Sequence, residues 1–167
     1  MLSPGDTVYP LLSASPTARE LDASFTPDLF ELAFAEKHTR QSTSLVGLLL
    51  LLKTFQRLGY FVQVGDIPSS IVRKVSHAAG LQSIPESLAT YDSSTARGLH
   101  MALVRSYVGV AAFDRDALKL MLKSCVDASR VREDLADIIN IAIEELFRHH
   151  RELGLNLALA KPGISAK

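Results

Sequence analysis

Few residues in this chain are spaced to do chemistry. The histidines, His38, His77, His100, His149 and His150, are scattered. The adjacent His149 and His150 fall on different sides of a helix and cannot chelate as an i, i+4 pair would. Asp134 and Asp137 suit a solvated helix start beside Lys and Arg, and a carboxylate metal site would need a third ligand. Gly59 and Gly65 are isolated, and neither precedes a Lys-Ser/Thr pair, so a phosphate-cradling loop is not expected. Cys125 sits among Leu122, Val126 and Ala128 and reads as a buried structural thiol rather than a nucleophile. The sequence therefore leads to an expectation of no metal, no cofactor and no catalytic centre, which leaves binding.

The residues best suited to binding are basic and lie at helix ends. "DIPSSIVRKVSHAAGL", a short link "SIPESLATY" and "STARGLHMALVRSY" could form a helix-turn-helix-like unit. Its second helix would begin near Ser94, bury Leu99, Ala102, Leu103 and Tyr107, and turn Arg97, His100 and Arg105 outward. Arginine holds phosphates or reads guanine edges; histidine more often contacts phosphate. The bland alternative is two solvated arginines and a half-buried histidine. A second basic stretch holds Lys37, His38, Arg40, Lys53, Arg57, Arg73 and Lys74, with Lys53 and Arg57 exposed at one end of a hydrophobic element. This stretch is the other DNA-binding candidate if the Arg97 helix does not read DNA.

Charge along the chain supports that emphasis. Formal net charge is zero over 167 residues. Residues 1–36 carry Arg19 against Asp6, Glu20, Asp22, Asp28, Glu31 and Glu36, whereas residues 37–80 carry six Lys and Arg against Asp66 alone. A basic middle is compatible with a nucleic-acid face or with an ordinary solvated surface.

The elements that must position these residues read as helices. Apolar residues make up 47% and charged residues 22%, as in a globular protein with a real core. The run Leu48, Leu49, Leu50, Leu51, Leu52 invites a membrane reading. It is cut off by Lys53, well short of the roughly 20 apolar residues a span needs. It is read as a helix buried on most sides, capped by Ser42 and stopped at Gly59. Ser15 with Pro16, and Thr26 with Pro27, read as two helix starts. The second of these carries an apolar stripe of Leu29, Phe30, Ala33 and Phe34. "YFVQVGDIP" reads as a loop. Pro68 opens a helix with Ile71, Val72, Val75 and Ala79 inward and Gly80 at its end; Pro85 opens a short one. Gly109 stops the Arg97 helix. Asp114 caps a helix with Leu118, Met121, Leu122 and Cys125 inward, and Leu135, Ile138, Ile139, Ala142, Ile143 and Leu146 keep a helical period in the last. The fold class is thus all-α, a compact bundle of about seven or eight helices. The first residues, with Pro4, Asp6 and Pro10 and no basic n-region, do not read as a signal peptide, and a single cysteine suits the cytoplasm. The tail is expected to fray beyond Leu159.

Four runs in order, "FTPDLFELAFAEKHTR", "LLLLLKTFQRLGYFVQVGDIPSSIVRKVSHAAGL", "YDSSTARGLHMALVRSYVGV" and "DLADIINIAIEELFRHHREL", resemble the N-terminal domain of replicative transposases of the Tn-three family. The resemblance covers residues 25–153, leaving 1–24 as an extension with a short helix and 154–167 as a divergent tail. It implies double-stranded DNA, the terminal inverted repeats of a transposon, as partner. It implies no membrane and no catalysis, because the family's RNase-H-like domain is not in this sequence. After Arg40 the family runs Gly-Pro-Asn-Arg, whereas "QSTSLVG" stands here, and after Tyr91 the family is richer in arginine. After residue 153 the chain leaves the family pattern, as a truncated copy would. The alternatives are a helical interaction module that pairs with a full-length transposase or with itself, and an inactive remnant.

Overall fold

A computed structural model of the chain describes residues 10–154. Residues 1–9 and 155–167, which include most of the expected extension before the first helix and the expected frayed tail, lie outside the described residues. The fold is all-α. Among the described residues there are seven α-helices and two 3-10 helices, and β structure is limited to one isolated bridge between Ala111 and Arg151. The chain divides into two compact units, residues 11–108 and a second containing 109–154.

The first unit is organised around one helix. It contains α1 (Ala18–Phe25), α2 (Leu29–His38), α3 (Ser42–Leu58), α4 (Ser69–Ala78) and α5 (Thr95–Val108), with 3-10 helices at Val64–Asp66 and Glu86–Ser93. Every other element of the unit packs on α3. Each residue from 46 to 55 is buried, so the leucine run is a central helix covered on all sides. No helix among the described residues is long and apolar enough to cross a membrane. Gly59 ends α3 with φ of 78°, the left-handed conformation that a terminating glycine supplies at least cost.

Both early helices start two residues later than the Ser-Pro and Thr-Pro pairs suggest. Thr17 caps α1 and Asp28 caps α2, each in a reciprocal capping box with Glu20 or Glu31. In the second, Glu31 N donates to Asp28 Oδ1 at 2.8 Å and Asp28 N donates to Glu31 Oε2 at 2.8 Å. Two satisfied donors outweigh the pre-set φ of a proline, which then sits just outside the helix.

The apolar stripe expected on α2 faces outward. Leu29 is 82% and Phe30 80% exposed, and Ala33 is exposed as well, while Glu31 and Ala35 are buried. The α5 helix is also turned from its expected setting. Leu99 is 68% exposed, Ala102 and Tyr107 are exposed, and His100 and Val104 face the core. The helix-turn-helix-like pairing is not formed: α4 packs on α1 and α3, and α5 packs on α3 and the 3-10 helix Glu86–Ser93, without α4 and α5 meeting.

The second unit is a hairpin of α6 (Arg115–Ser129) and α7 (Leu135–Arg148). Asp114 and Asp134 cap the two helices through Oδ1. The hairpin is closed by Ala111 N donating to the His150 carbonyl, Glu152 N donating to the Ala111 carbonyl, and an Arg151–Asp114 ion pair at 2.8 Å. On α6 the expected inward set is displaced: Leu118 and Leu122 are exposed, Met121 and Cys125 half-buried, and Ala117 and Ala128 buried. Alanines at the contact let two helix axes approach closely, and that setting rotates the larger leucines off the interface. On α7, Ala142, Ile143 and Leu146 are buried as their period requires, and Leu135 is exposed.

Candidate nucleic-acid interface

Ten residues were expected to face DNA, and the fold sorts them into two groups. Five serve the interior or other side chains of the first unit. Lys53 is buried rather than exposed. Its Nζ lies 3.1 and 3.0 Å from the two carboxylate oxygens of Glu31, which also accepts from Gln56 Nε2 at 2.7 Å. A buried charge needs a partner and hydrogen bonds of this kind, and this pair joins α2 to α3. Lys74 forms an ion pair with Asp22, joining α4 to α1.

Arg97 and His100 point inward, contrary to the sequence reading. Arg97 Nε donates to Asp92 Oδ1 at 3.0 Å, Nη2 to the Val62 carbonyl at 3.1 Å, and Nη1 contacts Met101 Sδ at 3.0 Å. Asp92 also accepts from Val64 N at 2.9 Å and Gly65 N at 3.0 Å. Arginine and aspartate thus clasp the loop after α3 against the start of α5. His100 Nδ1 lies 2.6 Å from the Tyr91 hydroxyl. Burial, and then the charge of His38, hold the His100 pKa below its ordinary value; burial pushes the Tyr91 phenol well up. Both rings are therefore neutral at pH 7, which suits a buried hydrogen-bonded pair and not a phosphate contact. Arg105 is half-buried, with its guanidinium 5.0 Å from the centre of the Phe61 ring.

The remaining five, Lys37, His38, Arg40, Arg57 and Arg73, are exposed. They do not form one patch. Arg40 precedes α3 and Arg57 lies in its last turn, roughly 25 Å apart along the helix axis. Arg57 faces the acidic N-terminal segment: hydrogen bonds from Thr17 lower the Glu20 pKa first, and the Arg57 charge adds to the effect. Three of the six Lys and Arg in the basic middle of the sequence, Lys53, Lys74 and Arg57, thus face acidic partners within the unit, Glu31, Asp22 and Glu20.

Lys37, His38 and Arg40 are the basic residues that stay together on the surface, at the junction of α2 and α3. The adjoining start of α3 has no side-chain cap: Gln41 occupies the cap position and makes no such bond. The first intrahelical bond there is Leu45 N to the Gln41 carbonyl, at 2.9 Å. The first turn, without a side-chain cap from Gln41, carries the positive end of the longest helix among the described residues, next in sequence to the exposed Arg40. The His38 ring packs 5.0 Å from Phe34, and Phe34 lies 4.4 Å from Tyr107, so the junction is braced by aromatic rings from α2 and α5.

Glu31, Gly47 and Gln41 are the residues that sequence reasoning missed. Asp28-x-x-Glu31 carried the capping-box signal. A glycine inside an apolar helix carried the signal of close approach. The bare α3 start has only a negative signal, the lack of Ser, Thr, Asp or Asn at the position before Ser42. Among the described residues no group of three or more His, Cys, Asp or Glu comes together in a way that could hold a metal.

No curated protein and no solved structure matches this chain. One family does, over residues 6–154, nearly the whole length and both compact units. The chain belongs to that family, a domain of unknown function (DUF4158).

Proposed function

We propose that this chain is a DNA-binding module of the kind that recognises transposon ends, and that it grips the phosphate backbone at the α2–α3 junction. The observation that carries the proposal is the exposed Lys37–His38–Arg40 cluster beside the uncapped start of α3. A phosphate there accepts from backbone N–H groups of the first turn and meets the charge of Lys37 and Arg40. Contacts of this kind set register and affinity without reading bases. The four runs that resemble the N-terminal domain of Tn-three family transposases support duplex DNA as the ligand. The role is binding, and no bond-making step is assigned to this chain.

The test is a titration of a labelled duplex carrying the inverted repeats that flank the gene, at several salt concentrations, with a random duplex as control. Each neutralised phosphate contributes about 0.9 to the slope of log K against log salt. Lys37→Ala with Arg40→Ala is expected to lower the slope by about two and to weaken both duplexes. An unchanged slope and affinity in the folded double variant would remove the junction as the site.

A further inference from the structure

Helix α6 carries two parallel ladders on its outer side. Leu118, Leu122 and Val126 recur every fourth residue and are 40%, 53% and 54% exposed. Arg115, Lys119 and Lys123 recur at the same interval, each three residues before one of them, and all three are exposed. Side chains three apart on a helix are neighbours, so every apolar rung has a cation beside it. The rungs repeat at about 6 Å along the axis. The inner side of α6 packs on α7 through Ala117 and Ala128. Met121 and Cys125, both half-buried, continue the apolar surface from that contact round to the exposed ladder. A helix that is apolar well beyond its packed side is normally covered there too.

The cations of this ladder are not neutralised by strong partners. Arg115 and Lys123 form no ion pair among the described residues, and Lys119 meets Asp116 at 3.2 Å with both groups mostly exposed. Surface pairs of that kind contribute little and give way to a better partner. Asp116 and Asp127 lie on the far side of the cations from the leucines.

We infer that the outer side of α6 docks a helix of a partner protein whose own apolar ridge is flanked by glutamate or aspartate at four-residue spacing. A helix matches the repeat, because a ridge of residues four apart on one helix packs along the same kind of ridge on another. Acidic flanks match the charge. Other occupants fit less well. A second copy of α6 brings the same cations. A phosphate backbone meets the cations but leaves three aliphatic side chains without an apolar contact. An anionic lipid surface would also meet Asp116 and Asp127, and the cations here border the apolar ladder on one edge only. The contact uses no residue of the α2–α3 junction, so it does not depend on the DNA-binding proposal.

Fluorescence anisotropy on the full chain tests it, with two labelled synthetic helical peptides as probes. Both carry leucine at every fourth residue; one has glutamate beside each leucine and the other lysine. The glutamate peptide is expected to bind with a Kd on the order of 10–100 µM, as suits a small patch, and the lysine peptide at least about tenfold more weakly. Lys119→Glu with Lys123→Glu is expected to reverse that preference. Leu118→Ala with Leu122→Ala is expected to weaken the glutamate peptide by about tenfold. All four side chains are exposed, so circular dichroism is expected to show both variants folded. Arg40→Ala is expected to bind the peptide as the wild type does. A wild type that binds both peptides alike or neither, or a folded charge-reversed variant that keeps the wild-type preference, overturns the inference. So does a charge reversal that leaves the peptides unaffected but releases the chain from a random DNA duplex or from phosphatidylglycerol vesicles, since the ladder would then face phosphate.

Discussion

The Tyr91 ring lies so close to Gly47 that a Cβ at that position would come within 2.3 Å of it. The tyrosine cannot swing aside freely, because its hydroxyl is bonded to buried His100 at 2.6 Å. The second 3-10 helix, and α5 through His100, are thereby seated on the central helix at one glycine.

Gly47→Ala sets two effects against each other. Alanine gains about 1 kcal/mol in helix propensity. Overpacking against a fixed ring costs roughly 1–3 kcal/mol, and the Tyr91–His100 bond is strained or lost with it. The expected result is net destabilisation of about 1–2 kcal/mol, read as a lower urea midpoint with unchanged m.

The same pair makes stability depend on pH. Burial keeps His100 neutral in the folded protein further down in pH than in the unfolded chain, whose histidine titrates near 6.5. Below that value the unfolded chain takes up a proton that the folded protein resists. Stability is therefore expected to fall as pH drops below about 6.5 and to level off once the folded value is passed. His100→Asn leaves a partner for Tyr91 but no titration. Urea midpoints at a series of pH values are expected to show a flatter profile for the variant in that window.

Buried and exposed leucines give a direct contrast. Leu49 and Leu52 are fully buried in α3, and either changed to Ala is expected to cost roughly 2–5 kcal/mol. Leu29→Ala, at 82% exposure, is expected to stay within about 0.5 kcal/mol of wild type in dilute solution. Thermal melts of the three variants decide whether the leucine run is core.

Much of the helical framework was legible in the sequence because its punctuation is local. Gly59, Gly80 and Gly109 all take positive φ at or just past helix ends, and Pro68 and Pro85 stand where α4 and the second 3-10 helix begin. The rotations of α2, α5 and α6 were not legible, and the reason is the same each time. An apolar stripe shows which side wants burial, but a buried polar anchor or a pair of alanines can outvote it. On α2 the Glu31–Lys53 pair wins, on α5 the Tyr91–His100 and Asp92–Arg97 bonds win, and on α6 close packing through Ala117 and Ala128 wins. Those anchors are separated by 22, 9 and 5 residues in the three bonded pairs, and the longest of these separations lies beyond what a helical period can report. The segregated charge of the sequence misled in a related way. Lys53, Lys74 and Arg57 face Glu31, Asp22 and Glu20, whereas Lys37, His38 and Arg40 stay exposed at the α2–α3 junction.

Lys53→Met leaves Glu31 buried with its charge unmatched and is expected to cost about 3–5 kcal/mol. Combining it with Glu31→Gln removes that charge yet keeps an acceptor for the Asp28 N–H and a partner for Gln56. The double variant is expected to recover more than half of the loss. Urea denaturation of both singles and the double gives the coupling, and strict additivity would mean that the ion pair does not join α2 to α3 as described.

Arg97 and Arg40 should separate stability from binding. The three nitrogens of the Arg97 guanidinium are directed at Asp92, Val62 and Met101. Removing the side chain strands the Val62 carbonyl and takes one of three donors from Asp92, whose bonds to Val64 N and Gly65 N remain. Arg97→Ala is expected to cost about 1–3 kcal/mol and to speed amide exchange at Val64 and Gly65. At temperatures where it stays folded, its affinity for duplex DNA and its salt slope are expected to match the wild type. Arg40 is exposed beside the bare start of α3, so Arg40→Ala should leave the melting midpoint within the range of a surface substitution and lower the salt slope by about one. If the two variants exchange roles, with Arg97→Ala losing DNA at full stability, then α5 turns outward on the DNA and the junction is not the contact.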